Sequence, residues 1–215
     1  MQNLRYVGKN LFIEKLSIKN ILKKNKTPFY IYSESQIAFN FLKFANTFKK
    51  TNPLICFAAK SNSNLNILKV LGKLGAGADV VSGGELLKAL KAGIRPNKIV
   101  FSGVGKTEEE LKIAINKKIL LINCESESEA QLVNNLSKKL RKKVSIGFRL
   151  NPNVDAKTHK NISTGKAENK FGLSIENFKV FLKTIKYFKN IKLDALSVHI
   201  GSQILNDAPF RKTLN

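Results

Sequence analysis

Six short apolar runs recur along the chain: LICFA (54–58), ADVV (78–81), KIVF (98–101), ILLIN (119–123), VSIGFRL (144–150) and LDALSVHI (193–200). Runs of this length, bounded by Gly, Asn or Ser, predict buried strands. Between them the apolar positions shift to three- and four-residue spacing, with Leu65, Leu68, Leu71 and Leu74 in one stretch, Leu86, Leu87 and Leu90 in a second, and Leu111, Ile113, Ala114 and Ile115 in a third. That spacing predicts helices, and two more fit 127–140 and 175–188. Thr107 followed by Glu108, Glu109 and Glu110 is a helix-start signature, and Ser82 or Gly83 opens the preceding helix with Glu85 as its capping-box partner. The first four strands begin about 20 to 24 residues apart, each followed by one helix, which is the rhythm of successive βα units.

Such units build either an open doubly wound sheet or a closed (β/α)8 barrel. The polar residues favour the barrel. Lys60, Ser82, Ser102 with Gly103, Asn123, Arg149 with Asn151, and His199 each follow one of the six runs. In a parallel barrel all strand C-termini meet at one face, so these groups would share a pocket. There is no GxGxxG or P-loop motif to argue for the open sheet. The expected fold class is therefore α/β, a TIM-type barrel, and since RKTLN ends the sequence soon after the sixth run, a barrel truncated after about the sixth strand. Upstream, TPFYIY (27–32) predicts a turn followed by a strand, and 10–26 a basic amphipathic helix or loose arm. The expected division is residues 1–32 as an N-terminal arm and strand and 33–215 as the incomplete barrel.

Composition narrows the classes. With 215 residues and 43% apolar positions the chain can bury a core, which excludes disorder. It carries no run long enough for a membrane helix and no signal-peptide h-region, so a soluble cytoplasmic protein without a membrane partner is expected. The two cysteines, Cys56 and Cys124, have no metal-ligand spacing around them, and no metal is expected. A net charge of +23 raises nucleic acid as a partner. Only five of the 38 basic residues are arginine, however, and the lysines are dispersed, so a solvated lysine surface is expected rather than a nucleic-acid site.

Lys60, in FAAKSNSN, ends an apolar strand. A lysine there either snorkels to solvent or is half-desolvated, and a neutral amine can act as a nucleophile toward a carbonyl. Asp79 and Ser82 lie near the next strand end, where helix capping is the simpler role for the serine. His199, in SVHIGSQ, sits where a strand gives way to a Gly-Ser turn; it could be a structural hydrogen-bonding group or a catalyst, and Ser202 adds a hydroxyl suited to a phosphate. The excursion 149–172 is long for an idle connection and is expected to cover or line the pocket, with His159 as a loop residue.

Taken together, YIYSESQI, FAAKSNSNLNILKVLGKLGAGADVVSGGEL, FSGVGKTEEEL, INCESESE, RLNPNVDAKTHKNISTGKAENKFG and SVHIGSQI, in this order, closely resemble the N-terminal half of diaminopimelate decarboxylases, across about residues 27–206. The resemblance implies the alanine racemase-like class of barrel and the cofactor pyridoxal 5'-phosphate (PLP). It also implies decarboxylation of meso-diaminopimelate to L-lysine, with a small amino-acid substrate and a homodimer for the full-length protein. Lys60 matches the lysine that holds PLP covalently and His199 the histidine stacked on its ring. Arg149 matches the arginine near the ring's phenolic oxygen, and Asp79 and Ser202 fall near the cofactor, with Ser202 on the phosphate side. The family's glycine-rich phosphate loop, the acidic partner of the pyridinium nitrogen and a C-terminal β domain do not occur in this sequence, and residues 1–32 are expected to belong with that domain. Cys124 in NCES is superficially like the family's CES motif but aligns with a barrel segment, so no role is assigned to it. The alternatives are a related decarboxylase of ornithine, arginine or carboxynorspermidine, or a non-catalytic PLP-binding protein. The isolated chain is expected to be inactive.

Overall fold

The computed structural model describes residues 3–155 and 171–214; His159 and the loop words within 156–170 lie outside the described residues. The chain begins with a small antiparallel sheet, β1 (Leu4–Val7), β2 (Asn10–Ile13) and β3 (Leu16–Ser17), followed by a one-turn helix, α1 (Ile18–Leu22). Residues 10–26 are therefore neither a single amphipathic helix nor a loose arm. Gly8, at φ +57°, makes the turn that brings Val7 opposite Asn10, and the ladder then continues to Leu4 opposite Ile13. The expected strand in TPFYIY is also absent: Tyr30 is 90% exposed and Tyr32 54%, and no ladder partner lies beside them among the described residues. High β-propensity does not make a strand without a neighbour to accept its hydrogen bonds.

The N-terminal sheet is tied to helix α2 (Glu34–Thr47) by the Glu14 carboxylate and by the Asn3 side-chain amide, which donates to Ser33 Oγ (3.1 Å) and Gln36 Oε1 (3.2 Å). Glu14 Oε1 accepts hydrogen bonds from the Ser33 hydroxyl (2.6 Å), the Ser35 amide (3.0 Å) and the Ser35 hydroxyl (2.9 Å), while the Ser33 Oγ caps the helix by accepting from Gln36 N (3.1 Å). These bonds favour the charged form, so the Glu14 carboxyl lies below its ordinary pKa.

From residue 56 the expected βα rhythm holds. Strands β4 (Cys56–Ala58), β5 (Gly77–Val80), β6 (Ile99–Phe101), β7 (Leu121–Cys124), β8 (Val144–Leu150) and β9 (Ile191–Val198) form a six-stranded sheet in sequence order, every neighbouring pair parallel. Helices α3 (Leu65–Lys73), α4 (Gly83–Lys91), α5 (Glu108–Lys117), α6 (Glu127–Lys139) and α7 (Ile175–Thr184) connect them, and α8 (Ala208–Leu214) follows β9. The consecutive parallel order is that of a barrel wall.

Alternation along each strand separates two faces. Ala78 and Val80, Ile99 and Phe101, Ile122 and Cys124, and Ile146 and Phe148 join Leu86, Leu111, Val133, Leu136, Phe178 and Phe181 in one core between sheet and helices. Phe148 packs its ring 4.7 Å from that of Phe181, centroid to centroid. Each fully buried side chain of this size stabilises the layer by roughly 1.5–3 kcal/mol. The intervening strand residues face the opposite, concave side and carry the polar groups.

Helix starts are fixed by the expected residues. Thr107 and Glu110 form a reciprocal capping box on α5. Ser82 caps α4 by accepting from Glu85 N (3.2 Å), but Glu85 does not return the bond to Ser82; its Oε2 reaches the Val81 amide instead, at 2.9 Å. The Ser82 backbone is extended (φ −153°), which presents the residue before it to the glutamate.

Candidate functional site

The concave face encloses a cavity of about 440 Å³ lined by Cys56, Ala58, Lys60, Asp79, Val81, Val100, Ser102, Asn123, Glu125, Arg149, Ser197, Val198 and His199. The alternation places them there: Cys56 and Ala58, Asp79 and Val81, Val100 and Ser102, Asn123 and Glu125, and Ser197 and His199 are each two residues apart. Four of the five expected site residues come into one pocket, Asp79 from β5, Arg149 from β8, and Lys60 and His199 from just beyond the C-terminal ends of β4 and β9. The fifth, Ser202, lies on an exposed bend beyond His199 and outside this lining. Of the other polar residues at strand ends, Ser82 is spent on its helix cap and Asn151 does not line the cavity.

Lys60 sits in a single 3-10 turn, Ala59–Ser61, directly after β4. The Ser61 hydroxyl donates to Ala58 O (2.7 Å) and stabilises the turn, and Asn64 caps α3 immediately after it. Lys60 itself is exposed and makes no hydrogen bond or ion pair among the described residues. Its amine is available to a ligand.

Asp79 is half-buried, and burial holds its carboxyl above the ordinary value against the opposing pull of a Ser102 hydrogen bond, Lys60 and Lys106. Ser102 Oγ in turn accepts from the Asn123 side-chain amide at 3.0 Å, which links the ends of β6 and β7. Asn123 needs Gly147 beside it, because a Cβ at that point of β8 would run into its amide oxygen. The Oδ1 atoms of both Asp79 and Asn123 are buried without a hydrogen-bond partner. Orphaned acceptors inside a polar cavity are costly unless a ligand or water meets them.

Arg149 is held from three directions. Its Nη1 donates to Glu125 Oε1 at 3.0 Å, its Nη2 reaches the His199 carbonyl at 3.5 Å, and the Phe171 ring lies 4.9 Å from the guanidinium carbon. The His199 imidazole is pushed below its ordinary pKa of 6.5 by desolvation first and then by Arg149 and Lys60. At neutral pH it is an uncharged ring lining the pocket.

Behind this wall, Lys106 is buried between β6 and α6. Its Nζ donates to Asn123 O (2.6 Å) and Glu129 Oε1 (2.7 Å), and Glu129 Oε2 accepts from the Glu125 amide at 2.7 Å. Neither Lys106 nor Glu125 stands out as a functional residue in the sequence. The one signal for Glu125 is its two-residue spacing from Asn123, which puts both on the concave face. Both cysteines are free, and burial pushes the Cys56 thiol up to about 11 and that of Cys124 higher still, so neither is a thiolate at neutral pH.

An uncommitted amine, a neutral imidazole, a fixed guanidinium and an acid with an orphaned oxygen suit a planar, anionic, aldehyde-bearing cofactor such as PLP. Comparison with known proteins agrees with this fit. Residues 34–215 match the family model described as "Pyridoxal-dependent decarboxylase, pyridoxal binding domain". The chain is 44% identical over 211 residues to the diaminopimelate decarboxylase of Aquifex aeolicus, covering 98% of this chain and 50% of that protein. The crystal structure of diaminopimelate decarboxylase from Helicobacter pylori complexed with L-lysine superposes with a TM-score of 0.87 at 42% identity, covering 91% of this chain and 50% of that one. The enzyme from M. jannaschii in co-complex with L-lysine gives 0.90 at 36% identity, covering 99% and 52%. The chain spans about half the length of the curated relatives it matches.

Proposed function

The chain belongs to the pyridoxal-dependent decarboxylases, as their pyridoxal-binding domain, and from that premise we propose that the protein of which it forms half decarboxylates meso-diaminopimelate to L-lysine. The observation that carries this is the convergence of Lys60, Asp79, Arg149 and His199 on one concave face in a chain whose relatives at 38–47% identity are diaminopimelate decarboxylases. PLP supplies an electron sink for the pair released when a carboxylate leaves.

Lys60, Asp79, Arg149 and His199 would hold the cofactor, Lys60 covalently and His199 through its ring face, with Ser202 as a phosphate contact. Their surroundings support these roles. The Lys60 amine is uncommitted, so no bond within the chain has to break before it reacts. The neutral His199 ring adds no positive charge to the pocket, where the Arg149 charge is balanced by Glu125, and the guanidinium and the Lys60 amine remain donors for an anionic ligand. Asp79, whose carboxyl burial holds above its ordinary value, can accept a bond from a ligand at its orphaned oxygen. Residues 1–32 belong with the second half of the protein in this reading, which acts as a homodimer.

Borohydride reduction of the intact protein in the presence of PLP, followed by peptide mapping, should place a pyridoxyl mass on the peptide containing Lys60. Labelling that persists unchanged in Lys60→Ala would overturn the assignment. Release of L-lysine from meso-diaminopimelate by the same preparation tests the substrate.

A further inference from the structure

Glu125 is the one carboxylate in the pocket with both oxygens committed across elements. Oε1 accepts from Arg149 Nη1 on β8 at 3.0 Å, and Oε2 accepts from the Gly172 amide at 3.0 Å, where the β8–α7 connection returns to the barrel. Both ionic side chains are nearly sealed, 13% exposed for Arg149 and 12% for Glu125, so the pair is little screened by water. The return is shaped to reach the carboxylate: Gly172 stands at φ +73°, and a Cβ there would press against Arg149 O. Leu173 N then donates to Arg149 O at 2.9 Å, and Phe171 stacks on the guanidinium.

The Glu125 backbone is fixed as well. Glu129 Oε2 accepts a hydrogen bond from its amide at 2.7 Å, and Glu129 is itself anchored by the buried Lys106, whose amine also donates to Asn123 O. The carboxylate is thus set from behind by a paired cation and spends its two lone-pair faces on β8 and on the return segment.

We propose that Glu125 is a positioning residue: it orients the Arg149 guanidinium in the pocket and clips the Phe171–Leu173 segment against it, so that the cation faces ligand in a single arrangement. Glu125 does this as an acceptor at two points, a task glutamine cannot repeat, since one of its side-chain atoms is a donor and would face either the guanidinium or the Gly172 N–H. The proposal rests on the PLP reading only for what Arg149 faces; the clip itself does not depend on it.

The test uses the intact protein and the variants Glu125→Gln, Arg149→Met and their double. Hydrogen exchange read at Gly172 and Leu173 should speed up about tenfold or more in Glu125→Gln, while amides of β5 and β6 keep their wild-type rates. Affinity for PLP, measured by absorbance titration of protein stripped of it, should fall about tenfold, and the double variant should bind no more weakly than Arg149→Met alone. Wild-type exchange at both amides overturns the clip, and strictly additive losses of affinity overturn action through Arg149. If Glu125→Gln does not fold, Glu125→Asp keeps the charge on a shorter arm and should show the same two changes. Wild-type protein that takes up no PLP sinks the cofactor reading, while the exchange arm still reports on the clip.

Discussion

Ionising Asp79 has a cost in this pocket, and its sign can be followed through pH. In the unfolded chain the carboxyl titrates near 3.8; folding raises that value, chiefly by desolvation. The stability this group contributes is therefore full below the unfolded value and is lost as pH rises through the folded one. Asp79→Asn carries no such titration. It should melt higher than wild type at neutral pH, with the difference shrinking as pH falls through the raised folded value, where the wild-type carboxyl regains its proton. Thermal melts of both proteins across that range test this, and a difference independent of pH would show that the carboxyl is not desolvated. Single residues of this kind were legible in the sequence because a polar group ending an apolar run has few places to go in a barrel. Lys60, Arg149 and His199 follow that rule, whereas Asp79 lies inside its run and comes to the pocket through the alternation of β5. Glu125 does not yield to it, because its meaning depends on the lateral match of β7 with β8 and on a segment that returns at residue 171, more than forty positions away. No local pattern carries that pairing.

At the scale of elements, the βα repeats were readable from apolar spacing and from side chains that cap their own helices, as Thr107 and Ser82 do. The bonds that join one repeat to the next were not. Glu110 of α5 accepts from Gly83 N of α4 at 2.7 Å, and Glu129 of α6 accepts from Lys106 in the turn before α5. The Lys106–Glu129 pair is the more consequential, since the lysine side chain is fully buried and the glutamate 12% exposed. Replacing Lys106 by Met leaves a buried carboxylate without its partner, which costs about 3 kcal/mol and lowers Tm by roughly 6–12 °C for a domain of this size. Lys112 provides the contrast: its contacts to Glu108 and Glu109 are solvent-exposed, and Lys112→Met should change stability by no more than about 0.5 kcal/mol. Urea denaturation of the two variants decides the matter, and equal losses would mean that the buried pair contributes nothing beyond a surface one. The errors at this scale have one origin. The 10–26 and 27–32 segments were assigned from their own propensities, whereas β2 exists because β1 folds back on it through Gly8, and TPFYIY has no such neighbour among the described residues.

The whole molecule is a curved wall with two unclosed edges. Among the described residues β4, three residues long, has β5 on one side only, and β9 likewise has β8 on one side only. Each edge is also apolar. Beside β4 a groove is lined by Tyr32, Ile37, Phe41, Phe44, Phe57 and Ile67, and on β9 Leu196 is 57% exposed and Val198 46%. Unpaired parallel edges flanked by uncovered apolar surface are templates for pairing with another chain. The high positive charge opposes this at low salt, through repulsion between copies, and loses that effect as salt screens it. Residues 1–215 expressed alone should therefore self-associate, and more so at high salt than at low, the reverse of what a surface held together by ion pairs would show. Light scattering across a salt series measures this. A monodisperse monomer at every salt concentration would mean that the edges are protected in a way the sheet geometry does not show. Association that weakens as salt rises would place the contact on charged faces instead of at β4 and β9.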